Sequence, residues 1–177
     1  MLATLVVCLC SFYLPPSDPV PLIAPAVRHE SKMDALPFVL PQDYEGIVLR
    51  YSYESDVPVW IVCRMISTED TGDPLSGAWD PDVVSPKGAV GLMQIMPENV
   101  PLYALWFNGG DAFDPRNPSD AIRIGLRVLA DLHATTGSWP AALAAYNGGL
   151  YHWYNARRWP WAQESVDYVW KILRVRI

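Results

Sequence analysis

An apolar stripe that runs at helical spacing and ends on a carboxylate constrains this chain more than any other feature. Val59, Val62, Cys63 and Ile66 recur at steps of three and one and three, the pattern of one face of an α-helix. Glu69 follows Ile66 by another step of three, so it leaves the helix on the buried side. A charge at such a position costs free energy unless it is paired or neutralised by a proton. Helix geometry alone leaves two uses open for Glu69. One is a helix-end acid paired with Arg64 or Lys87. The other is a carboxyl kept protonated by apolar surroundings, able to hand its proton on.

The remaining periodicities describe a mainly α chain. Tyr44, Ile47, Val48 and Tyr51 place a helix over Asp43 to Ser55, and Ser55 or Asp56 is expected to cap the Glu69 helix, with Pro58 in its first turn. Ile122, Leu126, Leu129 and Leu132 form the core face of a helix over Ser119 to Thr136. Asn117, Ser119 and Asp120 supply its start signals and Gly137 its stop. Ser138 caps a short helix through Ala145, ended by Gly148 and Gly149. A last helix, Gln163 to Leu173, is expected to bury Val166, Val169, Trp170 and Leu173. Asp70 to Asn99 is dense in Gly, Pro and Asp, and reads as loop with a small β-hairpin from the pieces around Val83 and Val90 to Met96.

Three segments follow from this pattern: an apolar stretch at residues 1–14, a proline-rich arm over 15–42 and a folded domain over 43–177. Leu2 to Leu14 is too short to span a bilayer comfortably. It has the length of a signal-peptide core but lacks the positive charges that should precede one. Export, anchoring and packing on the domain or a partner stay open, while Val7 is bulkier than the residue expected before a lipidated Cys8. With 13 Lys and Arg against 19 Asp and Glu, the net charge of −6 argues against a nucleic-acid partner. The three cysteines, Cys8, Cys10 and Cys63, outline neither a disulfide framework nor a zinc site. Cys63 reads as a buried thiol. His29, His133 and His152 are scattered, so no metal or cofactor is expected.

The run Ser85, Pro86, Lys87, Gly88, Ala89, Val90, Gly91, Leu92, Met93, Gln94, Ile95, Met96, Pro97 resembles the soluble lytic transglycosylases. In that family a helix ending in a catalytic glutamate is followed by a serine, a Gly-Ala pair and Gly-Leu-Met-Gln before a proline. Ala144 to Gly149 resembles the family's Ala-Tyr-Asn-Ala-Gly segment, and Glu164, Ser165, Tyr168 and Val169 look like its terminal Glu-Thr and Tyr-Val pairs. The resemblance implies a goose-lysozyme-like helical domain, with a hairpin or loop region lining a cleft that holds Glu69. It places Met93 and Gln94 along one wall and Tyr146 and Asn147 opposite. Gln94 and Asn147 would meet the N-acetyl and hydroxyl groups of an amino sugar, and Met93 a sugar face. Tyr146 and Ser85 would hold Glu69 or a substituent of the substrate. The implied reaction cleaves the β-1,4 bond between N-acetylmuramic acid and N-acetylglucosamine and leaves a 1,6-anhydro end.

Two departures from the family pattern qualify that reading. Glu69 is followed by Asp70 where serine is usual, and the segment from Glu69 to Ser85 is longer than common and carries Asp70, Asp73, Asp80 and Asp82. One of these acids opposite Glu69 would make a hydrolytic muramidase. The alternative for them is turn formation, to which Asp-Pro at Asp73 and Asp80 points. A noncatalytic wall-binding or assembly subunit is the reading from another class. Trp153, Trp159 and Trp161 are candidates for sugar stacking or for the core. Peptidoglycan strands are the expected partner, at the cell envelope or after export. A secretion, conjugation or phage assembly machine, or a virion, is the alternative setting.

Overall fold

Every residue from Ile61 to Thr68 is buried, so the helix that carries Glu69 runs through the interior with protein on all sides. The computed structural model describes residues 36–149 and 163–174. The apolar stretch, residues 15–35 of the proline-rich arm and Trp153, Trp159 and Trp161 lie outside the described residues.

Six α-helices are described: α1 (Glu45–Ser55), α2 (Val59–Thr71), α3 (Val100–Phe107), α4 (Pro118–Thr136), α5 (Trp139–Gly148) and α6 (Gln163–Leu173). Short 3-10 turns at Gln42–Tyr44 and Pro97–Asn99 precede α1 and α3. Helix α4 packs on α1, α3 and α5, while α6 packs on α5 and α2. Ile61, Met65 and Ile66 meet Ile122, Leu126, Leu129, Leu143 and Ile172 in one core with almost no exposed surface. Each such side chain contributes about 1.5–3 kcal/mol relative to exposure. No described helix is long and apolar enough to cross a membrane.

Local chemistry accounts for most of the boundaries. Asn117 Oδ1 accepts from the Asp120 amide and Ser138 Oγ from the Ala141 amide, as the capping signals predict. At α2 the expected cap fails. Asp56 takes a left-handed conformation, φ 53°, that ends α1, and Pro58 occupies the N-cap of α2 with no side-chain cap. The core face of α6 is also rotated from the expected one. Ser165, Tyr168, Val169, Ile172 and Leu173 are buried, whereas Trp170 is exposed and lies under the Arg174 guanidinium. Helix α3 has no counterpart among the sequence expectations, because its apolar residues surround the axis and give no stripe.

The expected hairpin is a looser structure. Among the described residues there is no strand, only two single-residue antiparallel bridges, Val84 to Val90 and Val90 to Ile95. Gly91 explains why this loop stays tight. Its φ is +74°, and a Cβ there would lie 2.0 Å from the Pro115 carbonyl oxygen.

Candidate active site

Glu69 stands in the last turn of α2, and the residues gathered around it come from three other parts of the chain. From α6, the Tyr168 hydroxyl donates to Glu69 Oε1 at 2.6 Å. From α5, Tyr146 lies close enough for the Glu69 charge to act on its hydroxyl, and Tyr103 of α3 in turn acts on Tyr146. The loop after Ser85 joins this set through the Met93 carbonyl, which accepts from the Tyr146 hydroxyl.

Burial pushes the Glu69 carboxyl up to about 7; the Tyr168 hydrogen bond pulls it down, and the Glu164 carboxylate on α6 pushes it up. Desolvation outweighs the hydrogen bond because a carboxylate loses more than a carboxylic acid on leaving water. Burial, and then the charge of Glu69, hold Tyr146 and Tyr168 well above the ordinary phenol range. Both are therefore hydroxyl donors at any neutral pH.

The pairings that would have made Glu69 structural are used elsewhere. Arg64 points away and donates to three carbonyls: Nε to Ile172 at 2.6 Å, one terminal nitrogen to Pro37 at 2.8 Å and the other to Lys171 at 2.5 Å. These include carbonyls of the last turn of α6, where a cation is favoured. Lys87 instead meets both oxygens of Glu164, at 3.0 and 3.1 Å.

The other expected residues take more varied places. Tyr146 does not bond Glu69: its hydroxyl donates to the Met93 carbonyl at 2.8 Å, joining α5 to the loop. The tyrosine that holds the acid is Tyr168, whose partner four helices away in the chain no spacing rule could supply. Met93 has no exposed surface and lies against Gly125 of α4, where a Cβ would sit 2.6 Å from its terminal methyl. Its side chain is core, not a sugar wall. Ser85 Oγ accepts from the Ala89 amide at 3.0 Å and so closes its own loop, without reaching Glu69. Gln94 sits at φ 46°, a strained backbone for a residue with a side chain, and its Nε2 donates to the Gly91 carbonyl at 2.9 Å. Asn147 Oδ1 accepts from Ser165 Oγ at 2.9 Å, tying α5 to α6.

Two of the four loop acids act as turn formers. Asp73 Oδ1 accepts from the Leu75 amide at 3.0 Å and Asp80 Oδ1 from the Asp82 amide at 2.9 Å, and all three of Asp73, Asp80 and Asp82 are exposed. Asp70 differs, with an Oδ2 that is buried and has no hydrogen-bond partner among the described residues. Burial raises its carboxyl, and the Asp80 backbone partly offsets this. Trp79 roofs the same loop, its Nε1 donating to Ser67 Oγ at 2.9 Å and its ring 5.2 Å from that of Tyr44. Cys63 is a buried thiol, pushed up to about 12 by burial. Among the described residues no cluster of His, Cys, Asp and Glu could hold a metal ion.

A sequence model of the transglycosylase SLT domain matches residues 77–165, a span that contains the Ser85 to Pro97 and Ala144 to Gly149 blocks and begins after Glu69. No curated protein matches the chain. Among solved structures, the chain is similar to the 70 kDa soluble lytic transglycosylase from Escherichia coli, at 25% identity and a TM-score of 0.56 over 73% of this chain and 21% of that one. A complex of the 70 kDa soluble lytic transglycosylase with bulgecin A gives 27% identity and a TM-score of 0.56 over the same 73% and 21%. An inactive mutant of the lytic transglycosylase Slt from Pseudomonas aeruginosa shares the fold, at 21% identity and a TM-score of 0.55 over 73% of this chain and 21% of that one. The chain thus spans about a fifth of the length of these relatives. The helical, lysozyme-like architecture expected from the sequence is the one these structures share.

Proposed function

The chain belongs to the transglycosylase SLT domain family, and from that premise we propose that it is a peptidoglycan lytic transglycosylase with Glu69 as its acid. The observation that carries this reading is the Glu69 carboxyl, pushed up to about 7 by burial and touched by one tyrosine hydroxyl. At neutral pH such a group is divided between acid and carboxylate. That suits a residue asked to give a proton in one step and take one back in the next.

The steps balance on one glutamate. Glu69 gives its proton to the oxygen that bridges N-acetylmuramic acid and N-acetylglucosamine. The bond from that oxygen to muramic acid C1 breaks, and N-acetylglucosamine leaves as an alcohol. The Glu69 carboxylate then takes the proton of the C6 hydroxyl, whose oxygen bonds to C1 and closes the 1,6-anhydro ring. No water is consumed and Glu69 ends protonated, ready for another turn. Tyr168 steadies the carboxylate between the two proton transfers, since a hydrogen bond to a charged acceptor is stronger than one to a neutral acceptor.

The remaining groups have assigned tasks in the same reading. Gln94 uses one of its two amide hydrogens on Gly91 and keeps its carbonyl oxygen to accept from an acetamido N–H. Asn147, with its oxygen on Ser165, keeps its NH2 to donate to a sugar oxygen. Ser85 accepts from Ala89 and keeps its hydroxyl hydrogen for the substrate. Met93 serves indirectly, by presenting the carbonyl that orients Tyr146. The turn-forming hydrogen bonds of Asp73 and Asp80 take those two acids out of the part of a second carboxylate facing Glu69 across the sugar, and leave Asp70 as the loop acid that a hydrolytic reading would have to use. The substrate strand puts the place of action at the cell envelope or beyond it, reached by export or carried by a secretion, conjugation or phage machine.

Purified sacculi digested with wild type and Glu69→Gln protein test the proposal. Anhydro-muropeptides, identified by mass, are expected from wild type alone. Reducing ends from wild type would replace it with a muramidase, and no product from either protein would leave a binding or assembly subunit.

A further inference from the structure

Glu164 and Tyr168 are one turn apart on α6, on the side of that helix that looks toward Glu69. Tyr168 reaches the acid directly. Glu164 does not touch it, but its charge acts on Glu69, and both its oxygens are held by Lys87 from the loop between Ser85 and Gly91. The charged and titratable groups on Glu69 in the described residues are Tyr168 and Glu164 from α6 and Tyr146 from α5. Tyr103 of α3 acts one step further out, on Tyr146. Lys87 is the cation that the hydrogen bonds connect to this set, through Glu164.

We propose that Lys87 and Glu164 are positioning residues for the acid: Glu164 sets negative charge beside the Glu69 carboxyl so that it keeps its proton, and Lys87 sets how much of that charge Glu69 feels. This rests on Glu69 being the acid of the proposed function. The physics has a fixed sign. A carboxylate near a second carboxyl disfavours loss of its proton, and a cation on the first carboxylate weakens that effect. Because Lys87 and Glu164 are both largely exposed, the coupling is modest and salt-dependent. The pair therefore trims the acid's working range and leaves its identity to burial.

Three proteins test this: wild type, Glu164→Gln and Lys87→Met. The alkaline limb of kcat/KM on sacculi, where the acid loses its proton, is expected to move down in pH for Glu164→Gln and up for Lys87→Met. Each shift is roughly 0.2–0.5 pH unit at low salt and shrinks as salt is added. A contact that merely braced the loop would lower activity in both variants without moving the limb in opposite directions. The Glu69 carboxyl is followed in parallel by carbon NMR in protein labelled at glutamate, with Glu69→Gln as the assignment control. That titration needs no turnover, so a protein that makes no anhydro product still reports whether the coupling exists. Equal unfolding midpoints for the three proteins are the check on folding. Shifts of the same sign, or no shift in either variant, overturn the proposal.

Discussion

Arg64 and Glu69 stand on the same interior helix, and their surroundings differ in kind. Arg64 is almost wholly buried with its guanidinium spread over three backbone carbonyls, each of its three nitrogens donating to one of them for structure. Glu69, near the end of the helix, has one hydroxyl on one oxygen and is otherwise held by burial, with the Glu164 charge acting on it from α6. One helix can thus serve stability at one position and chemistry at another. A polar group whose partners are complete has a single state. One whose partners are incomplete keeps two states close in free energy, and a proton-transfer residue needs both.

The strongest test of that contrast is Glu69→Gln. Turnover on sacculi is expected to fall about a thousandfold, equivalent to about 4 kcal/mol. The same change is expected to stabilise the fold above neutral pH. The Glu69 carboxyl sits at about 7 in the folded protein against the ordinary 4.5, so the folded state binds the proton more tightly than the unfolded one. Its contribution is fully present below 4.5 and is lost as pH rises through about 7. Urea unfolding of wild type should therefore show stability falling across that window by of order 2 kcal/mol, and Glu69→Gln should remove the fall.

Arg64→Met tests the opposite end. It takes the donor from three carbonyls, of which that of Ile172 belongs to a buried residue, and should cost about 2 kcal/mol in urea unfolding, with no change in the pH limb of the protein that remains folded. Equal losses of stability at Arg64 and Glu69 would erase the contrast. Tyr168→Phe falls between them in kind. Removing a hydrogen bond that favours the carboxylate should raise the Glu69 carboxyl further, so the alkaline limb moves up while kcat drops about tenfold. Ser165→Ala, which breaks the contact between α6 and Asn147, should cost about 1 kcal/mol of stability and leave the limb in place.

The part of this site that follows from local rules was legible in the sequence. Glu69 was readable because helical spacing alone puts it on the buried side, and the caps at Asn117 and Ser138 because the hydrogen bond that makes a cap spans three residues. Tyr168 was not readable as the partner of Glu69, since the contact depends on how α6 rolls against α2. The observed core of α6 is shifted from the expected stripe: Tyr168 turns in and Trp170 turns out. Met93 was expected at a wall and lies in the core because Gly125 lets α4 approach it, a fact about two distant segments. Helix α3 carries no readable signal for a different reason. Leu102, Leu105 and Trp106 remain exposed while Ala104 is buried, so its apolar residues carry no period to detect.

The missing side chain at Gly91 has a consequence for transplanting this site. The loop from Ser85 to Gln94 sits over the Pro115 carbonyl so closely that any larger residue would collide with backbone, which cannot swing aside as a side chain can. Loop and turn are therefore a single replaceable cassette. A designer who moves the Ser85 to Pro97 segment into another helical scaffold must carry the turn from Asp114 to Asn117 with it, or rebuild the curvature that holds Gln94 in place.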